Sequence, residues 1–460
     1  MTENAATFIA KSTIKSTDLE HRQKINFNIA RYNAAVPLGM QQFENLELVR
    51  ERAKNIKWKA LENLDQQLEE FERQFTKRGG KVIWAQNSQE ALDEILKICN
   101  EKNCKTVIKS KSMVTEEIHL NDFLKKNNIE SVESDLGEYI QQLDGEPPYH
   151  IVTPAMHKSK EDVAKLFEEK LGTPSKLSPE ELTLVARDVL REKYLEAEIG
   201  ITGANFIISD IGAIAMTENE GNGRLSMAWP KTHIAVTGIE KVLSSITDLA
   251  LMWPLLATYG TGQKVTVYNS IVSGPRQPGE TDGPEEMYVI LVDNNRTNIL
   301  ANPTVRESLY CIRCGACLNA CPVYKNIGGH TYGTTYSGPI GSVITPHLRG
   351  MEEYKHLSYA SSLCGNCTEV CPVRINLHEL LLVNRNESVE SGLTTFSEKA
   401  AWKIWRIASL KRGMMNMGSG NLKNKVVNKI FKAWTRQRTD LDFSKKTFNE
   451  MWKELFTKSE

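Results

Sequence analysis

The chain has 460 residues and balances 57 Lys and Arg against 57 Asp and Glu, so its length calls for two or three domains and its charge favours neither nucleic acid nor an anionic surface. Its start, MTENAATFIAKSTIK, lacks the basic opening and apolar core of a secretory signal, and its longest apolar stretch, LALMWPLLATYG at 249–260, holds a proline and is too short for a bilayer span. The expectation is a globular protein of the cytoplasm.

In chain order, residues 1–44 read as a polar N-terminal extension rich in helix formers. The stretch 45–80 repeats apolar residues at helical spacing and stops on Gly79-Gly80. Short β-branched runs then alternate with helical segments: KVIWA (81–85), KTVIK (105–109), YHIVTPA (149–155), ANFIISDIGAIAMTE (204–218), HIAVTGIE (233–240), KVTVYNSIV (264–272) and MYVILVD (287–293). Strands separated by helices of that length predict an α/β domain with a largely parallel sheet over 45–300. From 301 the strand pattern gives way to cysteine motifs in helix and loop, predicting an all-α ferredoxin-like two-cluster iron–sulfur module at 301–385. A helical, basic C-terminal tail follows at 386–460; from 398 onward it holds 15 Lys and Arg against 6 Asp and Glu.

Seven of the nine cysteines fall between 311 and 371, too local for an extracellular disulfide framework and well suited to metal. The first motif, CIRCGACLNACP, is a complete C-x2-C-x2-C-x3-C-P run of Cys311, Cys314, Cys317, Cys321 and Pro322. Three thiolates in one loop grip one cubane, and in two-cluster proteins the fourth, before proline, ligates the other cluster. Zinc is the plainer alternative for C-x2-C pairs, but zinc knuckles need two pairs and no C-x3-C-P tail. The second motif, SSLCGNCTEVCP, keeps Cys364, Cys367 and Cys371-Pro372, yet the frame asks for a cysteine where Ser361 stands. Crossed ligation then assigns Cys311, Cys314, Cys317 and Cys371 to one cluster, and Cys321, Cys364 and Cys367 to a second. The second is either a [3Fe–4S] centre or a [4Fe–4S] centre whose fourth iron takes solvent or a non-cysteine ligand. Ser361, His330, His347 and His356 are the candidates for that ligand. The 43 positions from Cys321 to Cys364 exceed a compact bacterial ferredoxin and suit a helical module of multi-subunit oxidoreductases.

The run CIRCGACLNACPVY, then GPIG, then LCGNCTEVCPVRINLHELLL, with GITGANFIISDIGAIAMTENEGNGR upstream and AWKIWRIAS in the tail, resembles the lactate-utilization iron–sulfur protein family, the B subunit of a three-part L-lactate oxidation system. The resemblance covers nearly the whole chain from 45. It implies a cytoplasmic complex with two further subunits that oxidises L-lactate to pyruvate and supports growth on lactate. This subunit relays electrons through two clusters of the [4Fe–4S] kind, the fourth iron of the second labile.

A second candidate site is TENEGNGR at 217–224, just after a strand, where α/β folds place ligand loops. Gly221 and Gly223 permit close backbone approach, Glu218 and Asn219 offer acceptors, and Arg224 offers a fork for phosphate or carboxylate. The domain resembles the superfamily of ribose-phosphate isomerases and coenzyme A transferases, in which a Glu-Asn-Gly stretch carries the nucleophilic carboxylate. Here the run is Glu218-Asn219-Glu220-Gly221, one residue longer. The plain alternative is a tight turn with surface charges. His150, His157 and His233 lie near strand ends without ligand spacing. Cys99 and Cys104 read as ordinary thiols, and the Pro/Gly-rich stretch 273–286 as a surface connection more than a cover. Trp402, Trp405, Trp434 and Trp452 among lysines suit packing, a docking helix for a partner subunit, or peripheral membrane contact.

No G-x-G-x-x-G fingerprint follows the first strand candidates, so flavin or nicotinamide chemistry belongs to a partner. The leading reading is an electron-transfer subunit. Its rivals are an α/β-domain enzyme acting on a coenzyme A ester or sugar phosphate, and a cluster-based redox sensor.

Overall fold

The structure is a computed structural model describing residues 2–430, 432 and 439–456. Ten strands occur among them: β1 (Lys81–Ala85), β2 (Thr106–Lys109), β3 (Glu130–Glu133), β4 (Ile199–Thr202), β5 (Phe206–Ile208), β6 (Ala213–Glu218), β7 (Thr232–Gly238), β8 (Val242–Leu243), β9 (Tyr268–Val272) and β10 (Glu286–Val292). Six form a wholly parallel sheet in the order β1-β10-β7-β4-β2-β3. The other four form a mixed sheet in the order β8-β5-β6-β9.

The inner strands of a covered parallel sheet are buried on both faces, and β7 and β10 behave so, from Thr232 to Gly238 and from Met287 to Val292. The helix Leu64–Lys77 buries Leu68, Phe71 and Phe75 on one stripe. It ends on Gly79, whose φ of 87° is the left-handed stop that glycine supplies.

Three expectations are corrected. YHIVTPA is no strand: it is a turn-rich segment in which His150 Nδ1 accepts from the Val152 and Thr153 amides at 3.1 and 3.3 Å. Its apolar residues are apolar because Tyr149 and Ile151 are buried in the core, where Tyr324 Oη donates to the Tyr149 carbonyl at 2.9 Å. The stretch 204–218 is an antiparallel pair, β5 and β6, rather than one strand. β3 lies at the edge of the parallel sheet although two of its four residues are Glu, since Glu133 pairs at 2.7 Å with Lys109 of neighbouring β2.

The chain divides into two compact units, one up to Ser388 and one from Val389. In the first, a continuous apolar core runs through Ile25 and Phe71, β5 and β6, Leu255, Tyr324 and Val373, so the α/β fold and the cysteine-bearing segment share one interior. The helices Glu3–Thr17 and Leu19–Met40 join it: Asn4 Nδ2 donates to Glu353 at 3.0 Å, and Phe8 meets Tyr332 edge-on. The second unit holds the helices Phe396–Leu410, Arg412–Met415, Gly420–Ile430 and Phe448–Phe456. There Trp402, Trp405 and Trp452 are more than half exposed; Trp434 lies outside the described residues. Among the described residues no helix is long and apolar enough to cross a membrane.

Candidate iron–sulfur centres and an adjoining cavity

Each cysteine loop is built the same way. In the first, Arg313 and Gly315 take φ of 61° and 79°, and the helix Ala316–Ala320 follows. In the second, Leu363 and Gly365 take 53° and 81°, and the helix Asn366–Glu369 follows. Two left-handed residues flanking the middle cysteine curl the loop inward, a shape that costs energy outside glycine and is kept where a ligand repays it. The parallel extends to the first position. Arg313 N–H donates to Cys311 Sγ at 3.4 Å, and Leu363 N–H donates to Ser361 Oγ at 3.1 Å. Ser361 therefore presents its oxygen where the first loop presents a thiol.

Electrostatic neighbourhood sorts the seven thiols into two groups. Cys314 and Cys317 feel Cys311 close by and Cys371, more than fifty positions downstream, whereas Cys367 feels Cys321 and Cys364. Burial, with the neighbouring sulfurs adding to it, pushes Cys371 up to about 12 and Cys367 up to about 11, and raises Cys314 and Cys317 as well. Buried thiols of that kind ionise only with a metal to hold the charge.

The surroundings fit an anionic, thiolate-held group. Ile375 N–H donates to Cys371 Sγ at 3.3 Å and Tyr324 N–H to Cys321 Sγ at 3.5 Å, the contacts by which a protein tunes cluster sulfurs. Arg50, on the helix Leu46–Glu62, clamps the second loop's end through the Cys371 carbonyl at 3.0 and 3.2 Å and the Glu369 carbonyl at 2.6 Å. Lys57, Lys241 and Arg313 are buried and sense the charge at Cys311. Burial outweighs the attraction of Glu240 and pulls the ammonium of Lys57 down to about 7. Arg50 and Lys57 share the helix Leu46–Glu62, Lys241 follows β7, and Arg313 lies inside the first cysteine motif; only the fold brings them together, which is why sequence reading missed them.

The histidines are engaged elsewhere. His330 Nε2 meets the Pro147 carbonyl at 2.7 Å, His347 Nε2 meets Asn384 at 2.8 Å, and His356 packs by Phe8. His150 and His233 are held neutral by burial, down to about 3, and His233 Nε2 bonds Thr202 Oγ1 at 2.8 Å. His157 bonds Glu146 at 3.1 Å. Cys99 and Cys104 are buried, with Cys104 Sγ turned to the Thr106 carbonyl. The 273–286 connection is largely exposed, held by Gln277 to the Arg78 carbonyl at 3.0 Å.

A cavity of about 410 Å³ opens at the C-terminal ends of β2, β4 and β7, where open α/β sheets hold ligands. Glu218, Asn219 and Gly223 line it, facing Arg313, Cys314 and Tyr336 from the cysteine-bearing side. Gly221, at φ 78°, caps the short helix Asn222–Ala228. Arg224 has an exposed side chain and is not part of the lining. Glu218 is already committed: its carboxylate accepts from the Gly223 and Arg224 amides at 2.7 Å each. Glu218→Ala should therefore cost about 1 kcal/mol through the lost cap, while Arg224→Ala should stay within about 0.5 kcal/mol of wild type. Urea unfolding of the two variants side by side checks this.

Residues 68–292 match the LUD domain and residues 307–375 match the 4Fe-4S dicluster domain. Lactate utilization protein B of Bacillus licheniformis is 48% identical over 391 residues, 85% of this chain and 81% of that protein. Its namesake in Bacillus subtilis is 47% identical over 85% of this chain and 80% of its own length. That of Bacillus cytotoxicus is 45% identical over 92% and 91%. With both domain matches in sequence and relatives aligned over most of their length, the chain belongs to the lactate utilization protein B family.

Proposed function

We propose that this protein is the iron–sulfur electron-transfer subunit of a cytoplasmic complex that oxidises L-lactate to pyruvate and supports growth on lactate. The observation that supports the reading is the matched build of the two cysteine loops, with left-handed residues at Arg313 and Gly315 and again at Leu363 and Gly365; in this reading Cys311, Cys314, Cys317 and Cys371 hold one cluster, and Cys321, Cys364 and Cys367 the other. Clusters held by such sets exchange single electrons and leave bond chemistry to a partner. In this reading the α/β domain spans 45–300, the ferredoxin-like helical module 301–385 and the basic helical region 386–460. Both clusters are of the [4Fe–4S] kind, and Ser361 Oγ, in register with Cys311 Sγ, would be the oxygen offered to the second cluster in place of a fourth thiolate. The name of the relatives supports a lactate role, and their letter B supports further subunits. The exposed Trp402, Trp405 and Trp452 suit docking to one of those.

The test is an assay of the purified chain, with its clusters assembled, against L-lactate and a dye acceptor. The isolated chain should be inert and the full complex active. Robust turnover by the chain alone, with added flavin excluded, would overturn the reading.

A further inference from the structure

Three side chains from distant parts of the chain meet away from the cysteine loops. Glu146 follows the helix Leu136–Asp144, His157 precedes the helix Lys160–Leu171, and His330 opens the short turn of helix His330–Tyr332 in the cysteine-bearing segment. One nitrogen of each histidine and one oxygen of Glu146 lie within 4.8 Å of one another, and His157 Nε2 stands 3.1 Å from Glu146 Oε2. The approach of His330 depends on the two glycines before it. A Cβ on Gly328 would lie 1.5 Å from the Tyr149 hydroxyl, and one on Gly329 would lie 1.8 Å from the Tyr149 carbonyl oxygen. Tyr149 in turn holds both rings: it stacks on His157 with centroids 4.3 Å apart and meets His330 edge-on at 4.9 Å. Its own hydroxyl is fixed by His21 Nε2 at 2.9 Å.

We propose that Glu146, His157 and His330 bind one divalent transition-metal ion of zinc's class, with water as its fourth ligand. Two imidazoles and a carboxylate without sulfur suit such an ion, whereas calcium and magnesium take oxygen ligands. A carbonyl only accepts, so the 2.7 Å contact of His330 Nε2 with the Pro147 carbonyl puts that ring's proton on Nε2 and leaves Nδ1 its lone pair. A backbone carbonyl on the far nitrogen is how proteins orient a metal-binding histidine. Burial favours the neutral form of His330, and hydrogen bonds from His157 and Lys158 hold Glu146 down at about 2. Both of those neighbours use Oε2, so Oε1 has no partner among the described residues; Lys158 has Asp144 as a second partner. Ligand atoms of a tetrahedral zinc stand about 3.4 Å apart at bonds of about 2.1 Å, so the set closes with side-chain shifts of about an ångström. Glu146 also lines an open cavity of about 660 Å³, which gives the ion a way in from solvent. Two ligands come from the sheet-bearing part of the chain and the third lies nine positions after Cys321, so the ion fastens the one part to the other. The site shares no ligand with the clusters and does not depend on the lactate reading.

The full-length protein, with its clusters assembled anaerobically and loose metal removed by a chelator, is titrated with zinc and with magnesium by calorimetry. One zinc per chain is expected to bind with the iron content unchanged. X-ray absorption at the zinc edge should then show nitrogen and oxygen neighbours at about 2.0–2.2 Å and no sulfur at about 2.3 Å. His157→Phe keeps the stack on Tyr149, and His330→Gln keeps a donor for the Pro147 carbonyl. Each should weaken zinc by at least about a hundredfold, since the partners behind metal ligands are alone worth about tenfold to a hundredfold. Glu146→Gln, on a half-exposed turn, is the further variant should a histidine change hold less iron, and it too should weaken zinc. No zinc bound at micromolar concentration, sulfur around the bound zinc, magnesium bound as tightly, or undiminished zinc in the variants would each overturn the site and leave the electron-relay reading untouched.

Discussion

Cys371→Ala, made and purified without oxygen, should lose the cluster whose other three ligands lie about sixty residues upstream, not the one that shares its own loop. The expected loss is about four irons per chain, together with the first cluster's paramagnetic signal. Cys371 is buried, Arg50 grips its carbonyl, and its thiol shares charge with Cys311, whereas Cys367 shares charge with Cys321 and Cys364. Ser361→Cys should act in the opposite sense and at the other cluster. A thiol placed where Leu363 N–H now holds the serine oxygen completes the four-cysteine set, so iron retention in air should rise and the second cluster's potential should shift. Metal analysis and resonance spectra of the two variants check both outcomes. A Cys371→Ala protein that retains the spectrum of the Cys311 loop would refute crossed ligation.

Arg296→Met should be the most destabilising single change away from the cysteines. The guanidinium is buried and forks to Glu117 at 2.8 and 2.9 Å and to Glu240 at 2.6 Å. Tyr336 Oη donates to Glu117 at 2.6 Å, and Arg313 stacks over the Tyr336 ring at 4.4 Å. The network thus ties the end of the parallel sheet to the first cysteine loop. Removing its cation strands two buried carboxylates, which costs about 3–5 kcal/mol. Burial works to raise Glu240, but Arg296 and Arg313 outweigh it and hold the group at about 2, below its ordinary 4.5; Glu117 is lowered in the same way. Carboxylates depressed in the folded state contribute stability above their unfolded value and lose it as pH falls toward the folded one. Urea unfolding should show the full difference between wild type and variant at neutral pH, and a narrowing gap below about pH 4.5.

What the sequence made legible is what is encoded locally. The candidate cluster ligands follow from a twelve-residue spacing rule, and strands such as KVIWA and MYVILVD follow from apolar runs that a parallel sheet requires. What stayed hidden depends on partners far along the chain. ESVE became strand β3 because Lys109 neutralises Glu133 across the ladder, and no window around residue 130 contains that fact. TENEGNGR was found for its glycines, yet the cations of the adjoining cavity, Lys111, Lys241 and Arg313, come from three separate segments of the chain. Arg224, the residue that looked most like an anion fork, points outward because its amide, not its side chain, is what Glu218 needs. Ser361 lies between these cases. The gap was visible as a missing cysteine, but its meaning required the paired left-handed turns at Leu363 and Gly365.

The most direct measurement is electron paramagnetic resonance of the intact complex, kept anaerobic and given L-lactate as the sole reductant. Signals of reduced clusters should develop on this subunit as pyruvate forms, and the Cys371→Ala complex should lack the first-cluster signal and pass electrons to the acceptor far more slowly. Pyruvate formation at the wild-type rate with both clusters still oxidised, or undiminished turnover in Cys371→Ala, would contradict the role of this chain as the electron relay.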